Sequence, residues 1–312
     1  MTTAAKFEPL VTILICNYNY GRFIRTAIES ALAQTYSNTE IIVVDDGSTD
    51  DSRDVIDSFG RRVKAVYKEN GGQPSGFNAG FAASTGDIIC LLDSDDLFDR
   101  DKVAKVVDCF NKYSDAYFVF HPLRRVHIDG TDWGIHERMD GSRWLDYRHK
   151  VNKFTAPPTT GLSFRREAWK RLDPLPEDVR IFIDKYIVLV VMALFRGYYL
   201  AEALAVLRLH GDNLFSMGTS EDLRGPSDAN VAWALRHRYP ELESRADRIA
   251  AITLARYWKT AEKDGRTSKM LDRYLSGSSP ASRTRVFTGA IMRYVRDSVI
   301  GDPQFGPQKA TA

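Results

Sequence analysis

The chain has 312 residues, 44% of them hydrophobic and 27% charged, which supports a sizeable buried core and excludes disorder of the whole chain. The 43 basic and 41 acidic residues leave a net charge of +2, too small to make nucleic acid the expected partner. Its cysteines, Cys16, Cys90 and Cys109, are odd in number and form no C-x-x-C pair, a usage that fits a reduced, cytoplasmic protein. Met1 to Pro9 lacks the features of a secretory signal. The longest apolar run, Tyr186 to Phe195, is about half of the roughly 20 residues that span a bilayer, so a buried helix is expected there.

From Leu10 to Tyr113, short β-branched runs alternate with helical periodicity, the pattern of strands joined by crossover helices into a parallel sheet. Strands are expected at Val11–Cys16, Glu40–Val44, Val63–Tyr67 and Ile88–Leu92. The helix between the first two carries Ile24, Ala27, Ile28, Ala31 and Leu32 at spacings that put one face on the sheet. Ser48 or Thr49 is expected to cap a second helix, with Asp50 and Asp51 in its first turn and Gly60 at its end. A short helix through Ala79 follows the Gly71-Gly72 loop, and a further one presents Val103, Val106, Val107 and Phe110.

Beyond Tyr113 the alternation loosens. Strands are expected at Ala116–Val126, Thr160–Phe164 and Tyr199–Leu209, helices at Glu167–Leu172 and Asp184–Arg196, and an irregular stretch with Trp133 and Trp144 between. From about Ser220 the chain reads as helical. The expected organisation is an α/β domain over residues 1–217, with one half at about 9–113 and a second at about 114–217, then a helical region over 218–312.

In an open parallel sheet, ligands bind beyond the carboxyl ends of the strands. This chain puts Cys16-Asn17-Tyr18-Asn19, Asp45-Asp46-Gly47-Ser48 and Asp93-Ser94-Asp95-Asp96 there. Carboxylates a few ångströms apart repel by about 4 kcal/mol per pair at an effective dielectric of 20. A hard divalent cation, Mg²⁺ or Mn²⁺, relieves that, usually with phosphate oxygens and waters as its other ligands. Loop and capping duty is the other reading of these acids, and it suits Asp50 and Asp51 better than Asp93, Asp95 and Asp96.

These segments, with Asn70-Gly71-Gly72, Asn78-Ala79-Gly80 and Gly86-Asp87-Ile88-Ile89, resemble the family 2 inverting glycosyltransferases of the GT-A fold. The likeness covers Pro9 to Tyr113 and returns at Asp184 and at Leu207-Arg-Leu-His-Gly-Asp-Asn213, similar to a closing Arg-x-His-x-x-Asn motif. It implies a fold of mostly parallel, Rossmann-type sheet flanked by helices, with a helical C-terminal appendage. It also implies a UDP-, dTDP- or GDP-sugar donor, a carbohydrate, lipid-linked or other hydroxyl acceptor, and a role in polysaccharide or other glycoconjugate synthesis.

The donor-binding residues so implied are Cys16, Tyr18, Asp45, Asp46, Gly72, Asn78, Asp93, Asp95 and Arg208. Tyr18 would stack on the base and Asp45 accept its N–H. Asp93, Asp95, Asp96 and His210 would hold the metal. Asp184 occupies the place of the catalytic base, although the family's paired acids are here a single acid, and helix capping is its other reading. Arg208 and His210 would stabilise charge on the leaving nucleotide. Thr160, Gly161 and Arg165 are similar to an acceptor-facing strand.

The segment Pro280 to Ile300 mixes Arg283, Arg285, Arg293 and Arg296 with apolar residues. Docking on the domain or on a second copy, in a homodimer, suits it better than an anionic membrane surface, because the arginines are few; peripheral association with the inner face of the membrane stays open. Among rival classes, a dinucleotide oxidoreductase needs a G-x-G-x-x-G turn that Asn17-Tyr-Asn-Tyr-Gly21 does not supply. A phosphate-gripping ATPase and a nucleotidyltransferase need Gly-rich basic loops that are missing. A non-catalytic nucleotide-sugar-binding scaffold stays open.

Overall fold

The computed structural model describes residues 8–136, 139–145, 157–180, 182–211, 213, 221–259 and 265–300. The chain divides into two compact units, Met1–Ser216 and Met217–Ala312.

The first unit opens with β1 (Val11–Asn17), α1 (Gly21–Leu32), β2 (Thr39–Asp45), α2 (Ser52–Asp57), β3 (Lys64–Tyr67), α3 (Gln73–Ala83) and β4 (Ile88–Asp93). Then come β5 (Leu97–Phe98), α4 (Lys102–Lys112), β6 (Phe118–Phe120), β7 (Leu123–His127), β8 (Asp132–His136) and β9 (Arg143–Leu145). A 3-10 turn, Thr159–Gly161, leads into β10 (Leu162–Arg165), α5 (Arg166–Leu172), α6 (Ile183–Leu194), β11 (Gly197–Tyr199) and β12 (Ala205–Leu209).

The main sheet runs β3-β2-β1-β4-β10-β6-β11-β9. The first four strands are mutually parallel, whereas β10 runs antiparallel to β4 and β6. A smaller sheet has the order β5-β12-β7-β8. The fold is thus α/β, with a mostly parallel sheet flanked by helices. Strands β1, β2 and β4 are near-continuous in buried apolar residues, as strands covered on both faces must be. Ile24, Ala27, Ile28 and Ala31 of α1 join Ile13, Ile15, Val43, Cys90 and Leu92 in one core. Each large side chain buried there contributes about 1.5–3 kcal/mol.

Four expectations are corrected. Ala116–Val126 is two strands in different sheets, because Pro122 breaks the ladder and the chain turns between β6 and β7. Tyr199–Leu209 likewise divides into β11 and β12, which belong to different sheets. The helix α2 begins at Ser52, and Asp50 instead accepts the N–H of Gly21 at 2.8 Å, at the start of α1. Gly60 starts a 3-10 turn rather than closing a helix. Part of the stretch between Trp133 and Pro157 lies outside the described residues.

The second unit contains α7 (Glu221–Arg238), α8 (Glu243–Lys259), α9 (Gly265–Ser276) and α10 (Pro280–Ile300). Asp247 of α8 is buried and accepts from Tyr274 (2.8 Å), Arg285 (2.6 Å) and Ser282, tying three helices together. In α10, Val286 and Ala290 are buried, whereas Phe287, Ile291, Met292, Tyr294 and Val295 are exposed. No helix among the described residues is long and apolar enough to cross a membrane.

Candidate active site

Register alone gathers the polar strand ends. Tyr67 stands opposite Asp45, Asp45 opposite Asn17, and Cys16 opposite Asp93, so the carboxyl ends of β3, β2, β1 and β4 form one rim. Just past β1, Tyr18 is 47% exposed. The turn after it takes φ 56° at Asn19, whose side-chain oxygen accepts the N–H of Thr49 at 2.7 Å while its own N–H donates to Ser48 at 2.9 Å. The loops after β1 and β2 are thereby fixed to each other.

Asp45 is wholly buried. It accepts from Asn17 (3.2 Å), from the N–H of Ser48 (3.1 Å) and from Arg53 (3.0 Å). Burial pushes its carboxyl up, but the hydrogen bonds from Ser48, Arg53 and Asn17 outweigh that and hold it below the ordinary carboxylate range.

At the end of β4, Asp93 accepts from Gln73 at 3.2 Å, and its N–H donates to Thr160 at 3.1 Å. The Thr160 hydroxyl donates to Asp96 at 2.6 Å, and Asp96 also accepts the N–H of Arg208 at 3.1 Å. Burial, then the charge of Asp95, raises both the Asp93 and the Asp96 carboxyls well above their ordinary range; Asp184 adds to the effect on Asp93 and Asp93 to that on Asp96. Negative charge is therefore crowded here. Asp95 lies 3.1 Å from Nε2 of His210 and accepts from Asn213 at 3.3 Å. The His210 ring is packed against Phe23, with centroids 4.3 Å apart.

Asp184 sits in the first turn of α6 and accepts the N–H of Lys185 at 2.8 Å. Burial raises its carboxyl, and the N–H and charge of Lys185 temper the rise. Phe182, just ahead, takes φ 59°, a left-handed conformation that is uncommon for an aromatic and signals a constrained entry to the helix.

Residues 12–172 match the family model for glycosyl transferase family 2. The chain belongs to that family. An uncharacterised glycosyltransferase of Nostoc sp. is 39% identical over 214 residues, 65% of this chain and 66% of the relative. Chondroitin synthase of Pasteurella multocida is 30% identical over 208 residues, 66% of this chain and 21% of that synthase. The chain therefore spans just under two thirds of the Nostoc relative and about a fifth of the synthase. Among solved structures, S. aureus TarS in complex with UDP-GlcNAc superposes with a TM-score of 0.66 at 15% identity over 94% of this chain and 92% of that one. A Pyrobaculum calidifontis mannosyltransferase in complex with GDP-Man and Mn²⁺ gives 0.52 at 17% identity, over 93% and 88%. At such identities these likenesses show the fold alone.

The residues singled out from the sequence fall into two groups. Cys16, Tyr18, Asp45, Asp93, Asp95, Asp184 and His210 lie at the strand ends or next to them. Burial, followed by the charges of Asp93 and Asp46, pushes the Cys16 thiol well up, so it stays a neutral thiol rather than a nucleophile.

The other eight residues singled out from the sequence are engaged within the protein. Asp46 spends its carboxylate on Lys68 (2.6 Å) and on the N–H groups of Gly71 (3.0 Å) and Gly72 (2.7 Å), holding that loop in place. Gly72 itself takes φ 87° as it enters α3, a conformation glycine adopts without strain. The Asn78 amide is committed to the backbone of Leu175, accepting at 2.6 Å and donating at 3.1 Å. The Arg208 guanidinium donates to Thr26 (2.6 Å), to the carbonyls of Phe23 (3.2 Å) and Ser94 (3.4 Å), and to that of Asp95, so it braces the acidic turn. Asp96 is wholly buried, with both carboxylate oxygens bonded internally. Thr160 links Asp93 to Asp96, and Gly161 packs so closely that an added Cβ would lie 2.5 Å from the carbonyl oxygen of His121. Arg165 stands opposite Ile88, at the other end of β4, and caps the carbonyls of Ala116 (2.8 Å) and Phe110 (3.0 Å).

Periodicity gave no signal for Asn17, Arg53, Lys68 or Gln73, which shape the rim through long-range hydrogen bonds. Among the described residues no three His, Cys, Asp or Glu side chains gather as a ready-made metal site.

Proposed function

We propose that this family 2 glycosyltransferase is an inverting enzyme that moves a sugar from a nucleoside-diphosphate donor to an acceptor hydroxyl in polysaccharide or other glycoconjugate synthesis. The observation that carries the reading is the register of Tyr67, Asp45, Asn17 and Asp93 at one rim, with Asp95 and His210 paired 3.1 Å apart and Asp184 close enough to perturb Asp93. The site lies in residues 1–217, the donor half being about 9–113.

Tyr18 offers a half-exposed ring to the base, and Asp45 an acceptor for a base N–H. Asp95 and His210 would supply one oxygen and one imidazole ligand to Mn²⁺ or Mg²⁺, a partial set completed by diphosphate and water. The raised Asp93 carboxyl is the mark of crowding that such an ion relieves. When bound, the ion neutralises charge on the diphosphate.

The chain's own residues do the rest. Thr160 and Arg208 hold the acidic turn rigid. Asp184, ionised, takes the proton from the acceptor hydroxyl on the face opposite the nucleotide. The UDP-GlcNAc and GDP-Man complexes of the structural neighbours support a nucleotide-sugar as donor class.

A thermal-shift series tests this. UDP-, dTDP- or GDP-sugars with Mn²⁺ should raise the unfolding temperature, since a ligand that binds only the native form stabilises it. The same series on Asp45→Ala should show the rise lost; no shift with any donor in the wild type refutes the reading.

A further inference from the structure

Asp45 has no exposed surface, and its carboxylate accepts from Asn17, from both the N–H and the hydroxyl of Ser48, and from Arg53, which fills its acceptor sites. A base N–H reaches it only if one donor leaves. Asn17 is buried, and Ser48 contributes its backbone N–H and its hydroxyl from the same turn, the hydroxyl oxygen being held by Asn17 and the N–H of Asn19. Arg53 is the remaining donor. Its side chain is 48% exposed, it stands in the first turn of α2, and only Nε engages Asp45. Its terminal nitrogens donate no hydrogen bond among the described residues. The guanidinium rests 5.5 Å from the centroid of the Tyr67 ring, in register with Asp45 on the neighbouring strand. That aromatic face can carry the cation through a short swing at little cost.

We propose that Arg53 reads the donor base: its guanidinium turns off Asp45 on binding, Asp45 takes the base N–H, and a terminal N–H of Arg53 donates to the adjoining base carbonyl. A carboxylate beside a guanidinium presents an acceptor next to a donor. Uracil, thymine and guanine carry the matching edge, a ring N–H flanked by a carbonyl. Cytosine and adenine carry a ring nitrogen acceptor beside an exocyclic amine, which sets acceptor against Asp45 and donor against Arg53. A site built for one hydrogen-bonding edge rejects the other strongly, because its buried polar groups are left unpaired.

This inference rests on the nucleotide-sugar reading above, and one titration series separates the two. UDP, dTDP, GDP, CDP and ADP, each with Mg²⁺, are titrated calorimetrically into the full chain, wild type and Arg53→Ala. The wild type should bind at least one of the first three, with CDP and ADP weaker by about tenfold or more. Arg53→Ala should bind the preferred nucleotide about tenfold more weakly and lose most of its preference over CDP.

A purely structural role would weaken all five alike. Unchanged affinity and ranking in the variant, tighter binding, or CDP or ADP binding as well as the best of the others each overturns the proposal while leaving the donor reading intact. No binding of any nucleotide by the wild type removes both. Arg53→Met, which keeps the length of the stem and removes every donor, gives the same ranking test if the alanine variant folds poorly.

Discussion

The hydroxyl of Thr160 donates to the buried carboxylate of Asp96 at 2.6 Å. Its oxygen also accepts the N–H of Asp93 at 3.1 Å, so one side chain fixes both ends of the acidic turn. Thr160→Val keeps the shape and removes the hydroxyl. It is expected to cost about 1–3 kcal/mol, the usual penalty for unpaired buried polar groups, measured as a lower urea midpoint. Thr160→Ser should restore most of the loss.

At the opposite end of the sheet Glu40 makes a second anchor, accepting from Thr12 (2.6 Å), the N–H groups of Thr85 (2.6 Å) and Gly86 (2.8 Å), and the Thr85 hydroxyl (3.1 Å). Burial pushes its carboxyl up, but these donors outweigh burial and hold it below the ordinary value. The native state therefore favours the ionised form. Its stabilisation is complete above the ordinary glutamate range and fades as pH falls through the lowered native value. Glu40→Gln should lose about 1.5–3 kcal/mol near neutral pH, and its difference from wild type in denaturant unfolding should shrink in acid.

The Asp184 carboxyl is raised by burial. A general base works only when ionised, so the acidic limb of kcat should lie above the usual carboxylate range, with activity falling as pH drops through it. Asp184→Asn should lower kcat by about 10²–10⁴-fold and change KM for the donor little. A pH profile of both proteins checks this, and a variant with the wild-type limb and rate would remove Asp184 from the role.

His210 and Asn213 both address Asp95. His210→Ala should reduce kcat by about 10²–10³-fold, the scale of losing one preorganised electrostatic partner. Asn213→Ala should cost less, because it loosens the imidazole, which Asn213 contacts at 3.0 Å, without removing it. Steady-state kinetics on the two variants at saturating Mn²⁺ decides between them.

The sequence made the donor half of the fold legible because β1, β2 and β4 are buried on both faces and stop abruptly at polar residues. It could not show which sheet a strand joins. Ala116–Val126 and Tyr199–Leu209 read as single strands because hydrophobicity persists while the chain crosses from one sheet to the other.

The site was legible as residue types and not as directions. Asp45 and Asp46 are adjacent, yet one faces Arg53 and the other grips Lys68 and the Gly71-Gly72 backbone. Arg165 and Arg208 look like ligand-binding cations in sequence. Their partners are mostly backbone carbonyls, and a carbonyl leaves no trace in residue identity.

The most direct measurement is release of nucleoside diphosphate from a panel of nucleotide-sugars with Mn²⁺, comparing wild type with Asp95→Ala at matched folded concentration. Turnover of at least one donor by the wild type, lost in the variant while its unfolding transition remains cooperative, is the expected result. A variant that turns over donor at the wild-type rate would contradict the assignment of the acidic turn as the catalytic centre.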